Sequence, residues 1–205
     1  MRKLTLLIPI IVVSIILCIS YSNKKLTLQE VSYQKELKVK EEQIESIKKL
    51  YQNNIIITKE NENLKLDDSI KLVTLDNDTI LAKDVFIKNS LVLSYSMFNC
   101  GDCVNTEFDN LKKYAHSFSE KIIIVAYFDR LRDAIFECKK MQKLGLEKSK
   151  FYVLISNNLG IPMDRYNSPY YFHINEDLTI SNVLLPIKDN PKLSEFYLKY
   201  SFKNY

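Results

Sequence analysis

The chain opens on an almost unbroken apolar run. From Leu4 to about Tyr21 only Thr5, Pro9, Ser14 and Ser20 interrupt it. About 17 to 25 apolar residues at ~1.5 Å each cross a bilayer core, so the run predicts a transmembrane helix within residues 1–23. A cleaved signal or a lipoprotein signal is the competing reading. No small-residue cleavage site follows Cys18, however, and Leu17 stands where a lipidation signal carries a small residue. The rhythm then changes. Leu26, Tyr33, Leu37, Ile44, Ile47 and Tyr51 recur at alternating four-three spacing, with Glu30 and Lys40 on the same seam and no glycine or proline between. This predicts an amphipathic helical stalk over residues 24–53.

Residues 54–205 read as one globular domain. The alternating runs "SIKLVTL" and "DTILAKDVF" flank the turn-forming pair Asp76–Asn77 and predict a hairpin. In "SLVLSYS" the contiguous Leu91, Val92 and Leu93 mark a strand covered on both faces. Val104, Phe108, Leu111, Ala115 and Phe118 then line one side of a helix. "KIIIVAYF" is a second buried strand, and Leu131, Ile135, Cys138 and Met141 share a face of a helix ending near Gly145. "FYVLIS" predicts a shorter strand. A loop with Pro162 and Pro169, the strands "YYFHIN" and "TISNVLL" about the tight turn "EDL", and a helix from about Pro191 complete the chain. This order predicts an α/β fold with a mixed central sheet, first parallel and then antiparallel, and helices on both faces.

Composition narrows the function classes. Lys and Arg number 29 against 25 Asp and Glu, and no basic block is interleaved with aromatics, which argues against a nucleic-acid partner. Four cysteines in 205 residues are too sparse for a disulfide scaffold, so stability rests on packing.

Two of those cysteines carry the candidate chemistry. Cys100 and Cys103, in "FNCGDC", are a redox pair, half of a metal site, or two buried thiols. They fall between a buried strand and a helix. Unpaired N–H groups and the helix dipole at such a position lower a thiol pKa from ~8.5, making Cys100 a nucleophile. Cys103, one turn deeper, is placed to resolve a mixed disulfide on Cys100. Structural zinc would need a second Cys-x-x-Cys or a histidine pair, which the chain lacks. Copper-handling proteins that pair two cysteines with a distant histidine, as His173 would be, space the cysteines by three residues, where the gap here is two. A peroxidase of the peroxiredoxin type would need a threonine where Met97 stands. Cys138, on its helix stripe, reads as a small core residue.

"FNCGDC" after a buried strand, "SPYYFHINEDLTI" further on and the element order together resemble the thioredoxin-like superfamily, in particular its membrane-tethered TlpA-type thiol-disulfide oxidoreductases. The resemblance covers roughly residues 64–205. It implies a thioredoxin-like fold in which Cys100 is the attacking thiol and Cys103 the resolving thiol of a redox-active disulfide. It implies that Pro169 takes a cis peptide bond facing the site and that Ser168 presents its backbone to the substrate. The implied partners are a protein or peptide disulfide and a second redox protein that resets the pair. No cofactor or metal is implied, because electrons travel through the dithiol.

Three positions differ from the family's common pattern: Asn99 replaces a tryptophan, Ser94 an assisting acid or amide, and Asp102 a proline. An acid beside Cys100 opposes its ionisation yet suits a helix N-terminus, and where the repulsion prevails the pair is a reductant. A binding module without catalysis is the alternative reading. Arg2 and Lys3 before the apolar run, against Lys24 and Lys25 after it, leave a small bias towards the N-terminus inside. The expected location is a bacterial cell membrane, single-pass, with the domain facing the periplasm or the cell exterior.

Overall fold

The computed structural model describes residues 4–86, 90–156 and 158–203, excepting the side chains of 4–19, 28 and 115–119. The chain divides into two compact units, Met1–Tyr51 and Gln52–Tyr205. Helix α1 spans Leu4–Asn61. In the first unit it carries exposed i,i+4 pairs, Lys40 with Glu36 at 2.8 Å and Gln34 with Glu30 at 3.3 Å. The apolar seam residues Leu26, Tyr33, Ile44 and Ile47 are exposed. Among the described residues no helix is long and apolar enough to cross a membrane. The side chains of the run expected to form the anchor lie largely outside the described residues.

The second unit begins with the last turns of α1. Asn54 grips the Leu185 backbone twice, donating to its carbonyl at 3.0 Å and accepting its N–H at 3.2 Å, while the Thr58 hydroxyl donates to the Val183 carbonyl at 3.1 Å. Ile57 and Asn61 are fully buried there. The helix stops because Asn63, at φ 63°, takes the left-handed conformation in which Asn is tolerated beyond a helix end.

A seven-stranded sheet follows, built from β1 (Lys71–Thr74), β2 (Thr79–Leu81), β3 (Ser90–Ser96), β4 (Ile122–Tyr127), β5 (Lys150–Leu154), β6 (Tyr170–Ile174) and β7 (Ile180–Leu184). Its order is β2-β1-β5-β4-β3-β6-β7. Strands β3, β4 and β5 are parallel, and β1, β6 and β7 join antiparallel to their neighbours. The strand order β4-β3-β6-β7, with the last two antiparallel, is the thioredoxin-like arrangement, extended here by β5 and the β1–β2 hairpin.

Helices α3 (Gly101–Phe118), α4 (Leu131–Lys143) and α5 (Pro191–Lys203) share one face. Successive right-handed crossovers that step the same way along a sheet put their helices on the same side. There Leu91, Leu93 and Tyr95 of β3 and Ile122, Ile124 and Ala126 of β4 meet Phe108, Leu111, Cys138 and Leu198. The alternate residues Val92, Ile123 and Val125 face the other layer, which is formed by the end of α1, helix α2 (Ala82–Val85) and the segment around Met163.

Residues 82–86 depart from the expected strand. Ala82, Val85 and Phe86 are all buried, and i,i+3 and i,i+4 neighbours reach one layer together only from a helical turn. "FYVLIS" is likewise no short appendage, since β5 lies between β1 and β4.

Candidate active site

The site is built where β3 ends and α3 begins. Met97 donates its N–H to the Tyr127 carbonyl at 2.9 Å, and the Asn99 side chain accepts the Ser96 N–H at 2.8 Å, so the three-residue turn is closed from both sides. Cys100 is the residue before the helix and accepts its first intrahelical bond, from the Val104 N–H at 3.0 Å. Its Sγ accepts the Cys103 N–H at 3.3 Å. A serine or aspartate at the same position caps a helix in this way, and here a thiol does so.

The two thiols are set apart electrostatically. Cys100 lies below the ordinary thiol pKa, first through the hydrogen bond from the Cys103 thiol, then through the Cys103 N–H, with further help from the Lys188 ammonium and the Asp102 N–H. Burial, the hydrogen bond to Cys100 and the Cys100 charge push Cys103 up to about 11. Asp102 therefore acts on Cys100 through its backbone donor, and the expected repulsion by its carboxylate does not decide the acidity of the thiol. Both thiols are half-buried.

A cavity of about 580 Å³ opens beside the turn that holds Cys100, walled in part by Phe98, Asn99, Tyr127, Tyr166, Ser168 and Tyr170. Ser168 is half-buried on its wall and shares it with the residue preceding Cys100. Asn99 Nδ2 spans the two loops, donating to Asn167 Oδ1 at 3.4 Å. Pro169 is buried and enters β6 just ahead of Tyr170, which pairs with Ser94 on β3.

The Ser168–Pro169 bond differs from the cis geometry that the resemblance implied, because among the described residues no peptide bond is cis. Trans is the lower-energy form of an X-Pro bond by about 0.5 to 1 kcal/mol. The bend before β6 is made instead by a tight turn in which the Ser168 N–H donates to the Tyr166 carbonyl at 2.8 Å. Tyr171, next along β6, is fully buried on the helical face and donates to the Glu107 carbonyl at 3.3 Å.

Two groups at or below this site had no sequence signature. Lys188, in the loop after β7, is a lone exposed lysine whose proximity to the thiols only the fold creates. Glu107, one turn beyond Cys103, is 3% exposed. Its Oε1 accepts the Ser194 hydroxyl at 3.0 Å while its Oε2 is buried without a partner, and burial raises its pKa. Ser94 supplies no acid beneath the dithiol.

The rival chemistries lack their geometry. His173 sits opposite Leu91, at the end of β3 remote from Cys100, about 16 Å of strand away from Ser96. Its Nε2 is hydrogen-bonded to the Ser201 hydroxyl at 2.9 Å. No group of potential metal ligands forms among the described residues. Met97, where a peroxidase would carry threonine, uses its Sδ to accept the Asp129 N–H at 3.3 Å.

No protein-family model and no curated protein matches the chain. Solved structures resemble it at low identity. Yeast Sco1 is 16% identical with a TM-score of 0.47, over 69% of this chain and 96% of that one. A thiol:disulfide interchange protein from Bacteroides sp. is 15% identical with a TM-score of 0.45, over 67% of this chain and 90% of that one. A thio-disulfide isomerase from Thermus thermophilus is 14% identical with a TM-score of 0.42, over 67% of this chain and 95% of that one.

Proposed function

We propose that the chain is a membrane-tethered thiol-disulfide oxidoreductase that reduces disulfides in proteins or peptides outside the cytoplasm. The observation that carries this reading is the Cys100 thiol acting as the N-cap of α3, bonded to the Cys103 N–H, with its acidity raised and that of Cys103 suppressed. A helix start that stabilises one thiolate and keeps its neighbour protonated separates attacker from resolver.

The Cys100 thiolate attacks one sulfur of the substrate disulfide. That S–S bond breaks, a mixed disulfide forms, and the departing substrate thiolate takes up a proton. Cys103 gives up its proton and attacks Cys100 Sγ, so the mixed disulfide breaks and a second substrate thiol leaves. The substrate gains two electrons and the protein loses two, stored as the Cys100–Cys103 disulfide. A dithiol protein of more negative potential returns them. Ser168 and Pro169 position the substrate backbone beside the cavity. The lowered Cys100 pKa by itself stabilises the dithiol and works against a strong reductant, so the direction of transfer is set by the measured potential.

Residues 1–23 act as the anchor and 24–53 as the stalk of a bacterial membrane protein whose domain faces the periplasm or exterior. The length of the apolar run supports this assignment. Equilibration with glutathione buffers of graded potential, followed by alkylation and mass measurement, tests the central reading. A reversible two-electron transition well below about −200 mV that vanishes in Cys103→Ser is expected. A chain in which Cys100 and Cys103 never pair would refute it. Resistance of the full chain to carbonate extraction from membranes tests the anchor.

A further inference from the structure

The opposite end of the sheet carries a second concavity, of about 500 Å³, between the turn after β1, the C-terminal half of α4 and the start of β5. Lys139 and Lys143 of α4 and Lys150 of β5 line it, with Asp76 as the opposing charge. None of the three lysines has an ion-pair or hydrogen-bond partner among the described residues, in contrast to Lys140, which is paired with Glu137 at 3.2 Å. Ser149 lines the same concavity. Its side chain is 3% exposed, and its hydroxyl is buried without any hydrogen-bond partner.

Ordinary helix-end chemistry accounts for only part of this. A cation in the last turn of a helix is stabilised by the dipole, which explains Lys143. It does not explain Lys150 on a strand, nor Lys139, which stands four residues before Lys143 where like charges repel. A buried hydroxyl with an unmade hydrogen bond is a further cost, and an incoming oxygen would remove it. All of these features answer to one kind of ligand, a compact anion with several acceptor oxygens.

We propose that this concavity binds a soluble phosphate monoester, with the three ammonium groups around the phosphate oxygens and the Ser149 hydroxyl donating to one of them. Three lysines against Asp76 leave a charge of plus two, which matches the dianion of a monoester better than the single charge of a phosphodiester such as a common phospholipid headgroup. The volume leaves room for a small organic group beyond the phosphate. The site shares no residue with the dithiol cavity and does not depend on the redox reading.

The test is calorimetric titration of the full-length chain, in mild non-ionic detergent at low ionic strength, with glycerol 3-phosphate, inorganic phosphate and the diester glycerophosphoglycerol. One saturable site for glycerol 3-phosphate is expected, with the diester about tenfold weaker, and with weakening of the monoester by about tenfold in Lys139→Gln/Lys150→Gln and severalfold in Ser149→Ala. Lys148→Gln, which alters an exposed lysine outside the cavity, is expected to bind as the parent chain does. Melting curves of each variant establish that it is folded, and the perturbed amide resonances of the parent chain are expected at residues 149–151. Absence of saturable monoester binding, equal binding by the diester, undiminished binding in the double variant, or an equal loss in Lys148→Gln overturns the proposal.

Discussion

The Asn99 side chain ties two loops together, accepting the Ser96 N–H at 2.8 Å and donating to Asn167 at 3.4 Å. Asn99 thereby does by hydrogen bonding what a bulky ring would do by contact: it fixes the turn before Cys100 against the loop before Pro169. Asn99→Ala is expected to lower kcat/KM for disulfide reduction about tenfold, since a single net hydrogen bond is worth about 1 kcal/mol and the turn makes two through this residue. Steady-state reduction of a protein disulfide checks this. An unchanged kcat/KM would show that the turn holds its shape without Asn99.

The acidity of Cys100 depends on its neighbours, so it can be altered without touching it. In the parent chain, alkylation by iodoacetamide is expected to titrate below the ordinary thiol range at Cys100 and only near 11 at Cys103. Cys103→Ser exchanges the thiol that donates to Cys100, and Lys188→Ala removes a nearby cation. Lys188→Ala should shift the Cys100 profile to higher pH, and added salt should shrink the difference because an exposed lysine is readily screened.

Glu107 gives stability a dependence on pH with an uncommon sign. Its pKa is raised in the folded chain by burial. Its contribution is therefore fully present below the unfolded carboxylate pKa and is lost as pH rises through the folded value. Glu107→Gln keeps the shape and cannot ionise. Urea melts at stepped pH are expected to show this variant losing less stability than the parent as pH rises from the unfolded carboxylate pKa upwards.

His173 acts on the acid side. Burial lowers its pKa to about 4, so the unfolded chain takes up a proton near pH 6.5 that the folded chain refuses until about 4. Stability is present above 6.5 and is lost as pH falls towards 4, by up to about 3 kcal/mol. In His173→Gln that acid limb should flatten. If parent and variant show the same slope between pH 6.5 and 4, the ring is not held neutral by the fold.

What the sequence disclosed follows from which features are local. Cys100 and Cys103 were legible because a strand-to-helix junction leaves a mark in adjacent residues: three contiguous apolar positions before and a helical stripe after. The strands β3, β4, β6 and β7 were legible for the same reason. Lys188 was not, because one lysine in a loop looks like any other until β7 brings it to the thiols. Glu107 was hidden beside Phe108, where the pattern gives no hint that an acid turns inward towards Ser194. Residues 82–86 misled because Ala82 and Phe86 fit either period, and only the layer they fill selects the helical turn.

The thiol that caps α3 also makes the helix a gauge of electron count. A thiolate at the N-cap presents a full negative charge to the Cys103 N–H, whereas a disulfide sulfur presents a weak, neutral acceptor. Under the proposed redox cycle, the first turn of the helix is strengthened and weakened in alternation by the charge of one atom. Exchange of the Cys103 amide hydrogen with solvent is expected to quicken on oxidation, so the backbone beside the active sulfur keeps a record of whether the protein is loaded or spent.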